Sequence, residues 1–139
     1  MAVVCDTGAI YALYDADDVH HAACRSLVEF VDLFPTLAES CGLKAPAGLA
    51  GKSLRPLLTN PASSIKDAAF TLVTRGPGQY GQSVRTARWR FTQWSDGAQE
   101  LYDHDNDGGE NHDVAKSNPG VLEKLAAKLK TLPPYKPVP

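Results

Sequence analysis

The sequence predicts an α+β fold: a small antiparallel sheet packed by a C-terminal helix, with helical segments on the N-terminal side. Three observations carry this. Between Ala68 and Asp103, short runs rich in β-branched and aromatic residues are separated by Gly- and Asp-bearing turns. From Asn118 to Leu132, Val121, Leu122, Leu125 and Leu129 form one apolar stripe at helical spacing. Upstream of Ala68 the apolar residues either follow helical spacing or are broken up by Gly and Pro. With 139 residues, 43% of them hydrophobic, the chain has single-domain size and enough apolar material for a core.

Taken in order, Ala2 to Cys5 is a short apolar run that reads as a buried strand, stopped by Asp6-Thr7-Gly8. Thr7 can cap a helix whose inner face holds Ile10, Leu13 and Tyr14, and Asp15, Asp17 and Asp18 end it in a polar turn. A second helix starts near Val19 and carries Ala22, Ala23 and Leu27. Asp32 is a good N-cap for a third, with Pro35 in its first turn and Gly42 placed to terminate it. The stretch "APAGLAGKSLRPLLTNPASS" reads as an irregular connection with one apolar patch, Leu54, Leu57 and Leu58.

"AAFTLVT" (68–74) is then a strand and "RGPGQYGQ" (75–82) a loop. "SVRTARWRFTQW" makes two strands around a tight turn near Ala87-Arg88. Asp96-Gly97 marks a hairpin turn before the strand "AQELYD". Asn118 caps the last helix and Pro119 takes its first position. "PPYKPVP" (133–139) is an extended tail.

Composition removes several function classes. A net charge of −2 makes no electrostatic case for nucleic acid or an anionic membrane. Cys5, Cys24 and Cys41 are odd in number and widely spaced, so neither a zinc knuckle nor a disulfide framework is indicated. The apolar start lacks a basic leader and is too short to span a bilayer, which places the chain as written in the cytoplasm.

The most chemical run is "YDHDNDGGENHD", Tyr102 to Asp113. Asp103, Asp105, Asp107 and Gly108 match positions 1, 3, 5 and 6 of a helix–loop–helix calcium loop. Position 12, which must supply a bidentate carboxylate, falls on Val114, and a strand rather than a helix precedes the run. It reads as an Asp/Asn/Gly turn. Strand alternation places Arg88, Arg90 and Trp94 on one face and Trp89 and Phe91 on the other. With Arg85, such guanidinium groups could meet a sulfated glycan, although solvated arginines on an amphipathic strand are the commoner case.

"LVEFVDLFPTLAESCGLKAPAGLAGKSLRPLL", "SVRTARWRFTQW" and "DGAQELYDHDNDGGENHDVA" resemble, in order, the C-terminal part of the sulfatase family, with the iduronate-2-sulfatase-like branch the best fit. The resemblance covers about residues 28–132 and implies a fragment of a larger α/β sulfatase. Such enzymes hydrolyse sulfate esters with a formylglycine made within a C/S-x-P-S-R motif, and hold calcium with paired acidic residues and an Asp-Asn or Asp-His pair. The 139 residues contain no C/S-x-P-S-R string, Cys24-Arg25-Ser26 being the nearest and lacking the proline, and the resemblance matches none of them to the family's calcium ligands. The resemblance therefore implies no catalytic, cofactor-binding or metal-binding residue here, calcium belonging to the full-length family. It also implies the missing catalytic part of a sulfatase as the expected partner, with self-association through the face left open. Parent sulfatases are often exported.

The first 27 residues, "VVCDTGAIYALYDADDVHHAACRSL" within them, resemble the start of a toxin-type PIN-domain ribonuclease. There Asp6 would match a metal-binding carboxylate and His20-His21 would begin a helix. The expected organisation is thus 1–27 PIN-like, 28–132 sulfatase-like and 133–139 tail, a chimera joined near Ser26 to Glu29. A residual metal-dependent nuclease and a glycan- or partner-binding module are the two alternatives to a silent sulfatase module.

Overall fold

The computed structural model describes residues 29–60, 63–132 and 135. The expected N-terminal strand and first two helices, with Asp6, His20 and His21, lie outside these residues, as does the tail except Tyr135. The chain divides into two compact units, Met1–Asp67 and Ala68–Pro139.

In the first unit a 3-10 turn, Phe30–Asp32, runs directly into helix α1, Leu33–Ser40. Pro35 sits in the first turn of α1, where its missing N–H costs no helical hydrogen bond, and it is buried. The helix stops at Gly42, whose φ of +71° allows Leu43 N to donate to Ala38 O (2.8 Å) and Gly42 N to Glu39 O (3.0 Å), which satisfies two orphan carbonyls. Asp32 does not cap α1 as expected. Its side chain turns away and accepts from the backbone N–H groups of Glu29 (2.9 Å) and Lys52 (2.8 Å) and from the Lys66 ammonium. Asp32 is wholly buried, so these donors replace its lost hydration.

The connection after α1 is tied to it through polar groups. Thr36 Oγ1 donates to Asp32 O (2.6 Å) and accepts from Leu54 N (2.8 Å). Gly51 passes so close that a Cβ there would lie 1.9 Å from Val31 O, so backbone meets backbone and only glycine fits. The segment expected to be irregular does contain a short helix, α2, Arg55–Thr59, begun by Leu54 and Pro56 in its first turn. Proline at that position is preorganised for a helix, and this is why a Pro-punctuated run still made one.

The second unit is a four-stranded antiparallel meander, order β1-β2-β3-β4, with β1 Ala69–Thr74, β2 Tyr80–Arg85, β3 Trp89–Trp94 and β4 Gln99–Asp103. Strand β2 begins at Tyr80, so the loop predicted over 75–82 is only 75–79 long: pairing of Tyr80 with Thr74 extends the ladder past the local turn signals. The register aligns Phe70, Val84, Phe91 and Leu101 in one row across all four strands. The last three are completely buried. Helix α3, Pro119–Leu129, covers this row with Leu125 and Leu129. Asn118 holds the start of α3 by its carbonyl, which accepts from Val121 and Leu122 N, while its side-chain amide donates to Val114 O. The fold class is the predicted one.

The outer edge of β4 is closed locally. Asp113 Oδ1 accepts from Leu101 N (3.0 Å) and Ala115 N (2.9 Å), and Val114 N donates to Leu101 O (2.8 Å). These bonds occupy groups that would otherwise offer a pairing edge. No described helix is long and apolar enough to cross a membrane.

Candidate functional site

The chemistry-bearing residues predicted from sequence meet at one end of the second unit, where the turn before β3 approaches the loop after β4. Arg88 lies in that turn, just outside the strand, so alternation does not govern its side chain. It therefore does not share the face of Arg90 and Trp94. Its Nε and Nη2 donate to the two carboxylate oxygens of Asp103 at 2.8 and 2.7 Å, and its guanidinium lies 4.6 Å over the ring of Trp89. Asn106 Nδ2 adds a third donor at 2.7 Å and the Asp105 N–H a fourth at 3.3 Å. This is a bidentate, charge-assisted pair of the strong kind.

The Arg88 guanidinium holds the Asp103 carboxyl down at about 2, from an ordinary 3.8. A value depressed in the folded state stabilises the protein above the unfolded value of about 4 and loses that contribution as pH falls through about 2. The unfolding midpoint should therefore drop between about pH 4 and 2, and Arg88→Met should flatten that part of the profile. An unaltered slope in the variant would show that the pair does not couple folding to acid.

Arg90 reaches the other side of the same loop. Its Nη1 pairs with Glu110 Oε2 at 2.9 Å, and His104 Nε2 lies 2.6 Å from Glu110 Oε1. Glu110 has a φ of +56°, the one non-glycine residue with positive φ among those described. That conformation is unfavourable for a side chain and is held here by two polar anchors on the carboxylate. Sequence reasoning missed Glu110 and His104. Six residues apart, they fit no helical or strand period, and nothing local links either to position 90.

The acidic loop itself is knitted by its own donors. Asp107 accepts from Asn111 Nδ2 (3.1 Å), His112 N (2.8 Å) and His112 Nδ1 (3.3 Å). Val114, which stands where a calcium loop needs its bidentate glutamate, packs against the core. Asp105 remains the most open of the three aspartates and lies 3.3 Å from Arg88 Nε. Among the described residues no group of three or more His, Cys, Asp or Glu side chains is placed to hold a metal ion. Cys41 is an exposed free thiol.

At the opposite end of the sheet a cleft of about 350 Å³ is lined by Arg75, Gln79, Trp94, Asp96 and Glu100 with Ser95 and Ala98. Arg75 stacks 4.6 Å over the Trp94 ring, and Trp94 Nε1 donates to Glu100 Oε1 at 3.1 Å. Two carboxylates against one guanidinium make this cleft unsuited to a sulfated polyanion. The strand pair is no better: Arg88 and Arg90 each spend their charge on a carboxylate of the chain.

Comparison with known proteins gives these features their context. Residues 13–133 match the family profile of the N-sulphoglucosamine sulphohydrolase C-terminal region. The chain is 29% identical over 123 residues to arylsulfatase K of Rattus norvegicus, covering 79% of this chain and 22% of that protein. It is 34% identical over 112 residues to a Delta 4,5-hexuronate-2-O-sulfatase of Bacteroides thetaiotaomicron, covering 76% of this chain and 23% of the relative. A solved 2-O GAG sulfatase shares the fold with a TM-score of 0.64 at 30% identity, over 72% of this chain and 23% of that one. The chain thus spans under a quarter of the length of these relatives.

These matches correct the expectation of a ribonuclease-like start. One family profile runs unbroken from residue 13 across the supposed junction at 26–29, so more than half of the 1–27 segment follows the same pattern as the rest. The sequence is not a PIN–sulfatase chimera. In "VVCDTGAIYALYDADDVHHAACRSL" a strand-end aspartate, a small residue and a helix pair carry the ribonuclease resemblance, a pattern too short to exclude other folds.

Proposed function

The chain belongs to the sulfatase family, through its N-sulphoglucosamine sulphohydrolase C-terminal region, and on that premise we propose that it is the non-catalytic C-terminal module of a sulfatase of the iduronate-2-sulfatase-like branch. Residues 13–132 form the body of the module and 133–139 its tail. The reaction served is hydrolysis of a 2-O-sulfate ester on a uronic acid, a substrate class suggested by the name of the Bacteroides relative. One observation carries the non-catalytic reading: two of the three guanidinium groups on the strand pair, those of Arg88 and Arg90, are already neutralised by Asp103 and Glu110. Sulfate transfer needs a nucleophile, a cation and free basic groups converging on one anion. The 139 residues contain no C/S-x-P-S-R string to supply the nucleophile.

Purified 139-residue chain, incubated with an aryl sulfate and with a 2-O-sulfated unsaturated uronide, is expected to release no sulfate above buffer, with or without calcium. Turnover that scales with chain concentration and survives repurification would overturn the proposal.

A further inference from the structure

The cleft at the end of the sheet away from Arg88 lies between two turns, the β1–β2 loop and the β3–β4 hairpin. Both turns are tied by backbone bonds: Arg75 N donates to Gln79 O (2.8 Å), Trp94 N to Ala98 O (2.9 Å) and Ser95 N to Tyr80 O (2.9 Å). Trp94 is fixed between them. Its indole rests on Gly81, where a Cβ would stand 2.8 Å from the ring, and the Arg75 guanidinium lies 4.6 Å from its centre. Its Nε1 donates to Glu100 Oε1 at 3.1 Å. The aromatic wall is therefore ordered before any ligand arrives, which removes that cost from binding.

The lining groups select the chemistry of the occupant. Arg75 already supplies a cation, and Asp96 and Glu100 supply two carboxylates. The guanidinium opposes a second cation and the carboxylates oppose an anion, so an uncharged guest is favoured. Donors and acceptors both remain for it. Among the described interactions the Arg75 guanidinium makes only its contact with the indole, and the Gln79 amide side chain makes no hydrogen bond. Ser95 Oγ accepts from Tyr80 N (3.2 Å) and keeps its own hydrogen to donate, while Asp96 engages only Oδ1, with Ala98 N (2.9 Å). A hydroxyl both donates and accepts, so a ring bearing several of them matches this mixture. A sulfate, which only accepts, and an ammonium, which only donates, do not.

We propose that this cleft binds the neutral, polyhydroxylated ring of an unsulfated saccharide unit. Its volume of about 350 Å³ lies at the lower end of the range for small-ligand sites. The site goes beyond the sulfatase reading and stands whether or not the chain releases sulfate, because it uses none of the residues on which that reading rests.

The test titrates the nitrogen-labelled 139-residue chain with maltose, cellobiose, lactose and N,N′-diacetylchitobiose, and follows the indole Nε1–H signals of Trp94 and Trp89. At least one sugar is expected to shift Trp94 saturably and leave Trp89 still, with a dissociation constant of about 1–10 mM for one ring in an open cleft. Gln79→Ala with Asp96→Asn should weaken binding at least about tenfold; asparagine keeps an oxygen to accept from Ala98 N, so the hairpin turn is retained. Gln79→Ala alone, on an exposed residue whose side chain holds no turn bond, should weaken it about threefold. Lys124→Gln on exposed α3 should leave it unchanged. A 2-O-sulfated disaccharide should bind more weakly than the neutral ones. No shift of Trp94 with any neutral sugar at about 50 mM, equal affinity in the double variant, or tighter binding of the sulfated disaccharide would overturn the proposal.

Discussion

Lys66→Met is expected to cost the first unit about 3–5 kcal/mol, the usual penalty for removing one partner of a buried ion pair. Lys66 is nearly buried and pairs with Glu29 at 2.5 Å and with the wholly buried Asp32. Without the ammonium, Asp32 keeps two backbone donors but loses its only counter-charge among the interactions described. Hydrogen exchange at the amides of α1, and urea unfolding followed by a probe in this unit, would read the loss. Adding Asp32→Asn should recover only part of it: a neutral amide no longer requires a cation, but its single oxygen can accept from one of the Glu29 and Lys52 N–H groups, which bond different oxygens of the carboxylate. A loss under about 1 kcal/mol would mean that the cluster behaves like a solvated surface pair.

Phe91→Ala should be equally severe in the second unit, about 3–5 kcal/mol. Phe91 is fully buried on β3, one of the two central strands, between Val84 and Leu101 and under α3. Truncation there leaves a cavity that its row-mates cannot close without breaking strand register. The midpoint of denaturant unfolding should fall at constant slope, whereas Phe34→Ala, on the exposed stripe that Phe30, Leu33, Phe34 and Leu37 form along α1 and the turn before it, should leave it nearly unmoved. Similar losses at both positions would mean that Phe34 is covered within the chain.

The second unit was legible because its signals are local. Alternation in "SVRTARWRFTQW", the Asp96-Gly97 turn and the Asn-Pro start of α3 each specify an element within a few residues. The site was less legible because its bonds are not. Arg88 reaches Asp103 across 15 positions and Arg90 reaches Glu110 across 20, whereas strand alternation presents both arginines as solvated surface groups. The first unit was least legible: helical spacing alone would turn Phe30, Leu33, Phe34 and Leu37 inward.

By itself, then, the sequence determined the α+β class, the small antiparallel sheet, the terminal helix and the sulfatase kinship, since turn chemistry, side-chain period and the order of segments are all written along the chain. Only the tertiary structure decided which face of α1 is covered, and which charges face one another. Burial and charge pairing depend on what lies within a few ångströms in space. Lys52 and Lys66 come to Asp32 from 20 and 34 residues away, and no local pattern carries that information.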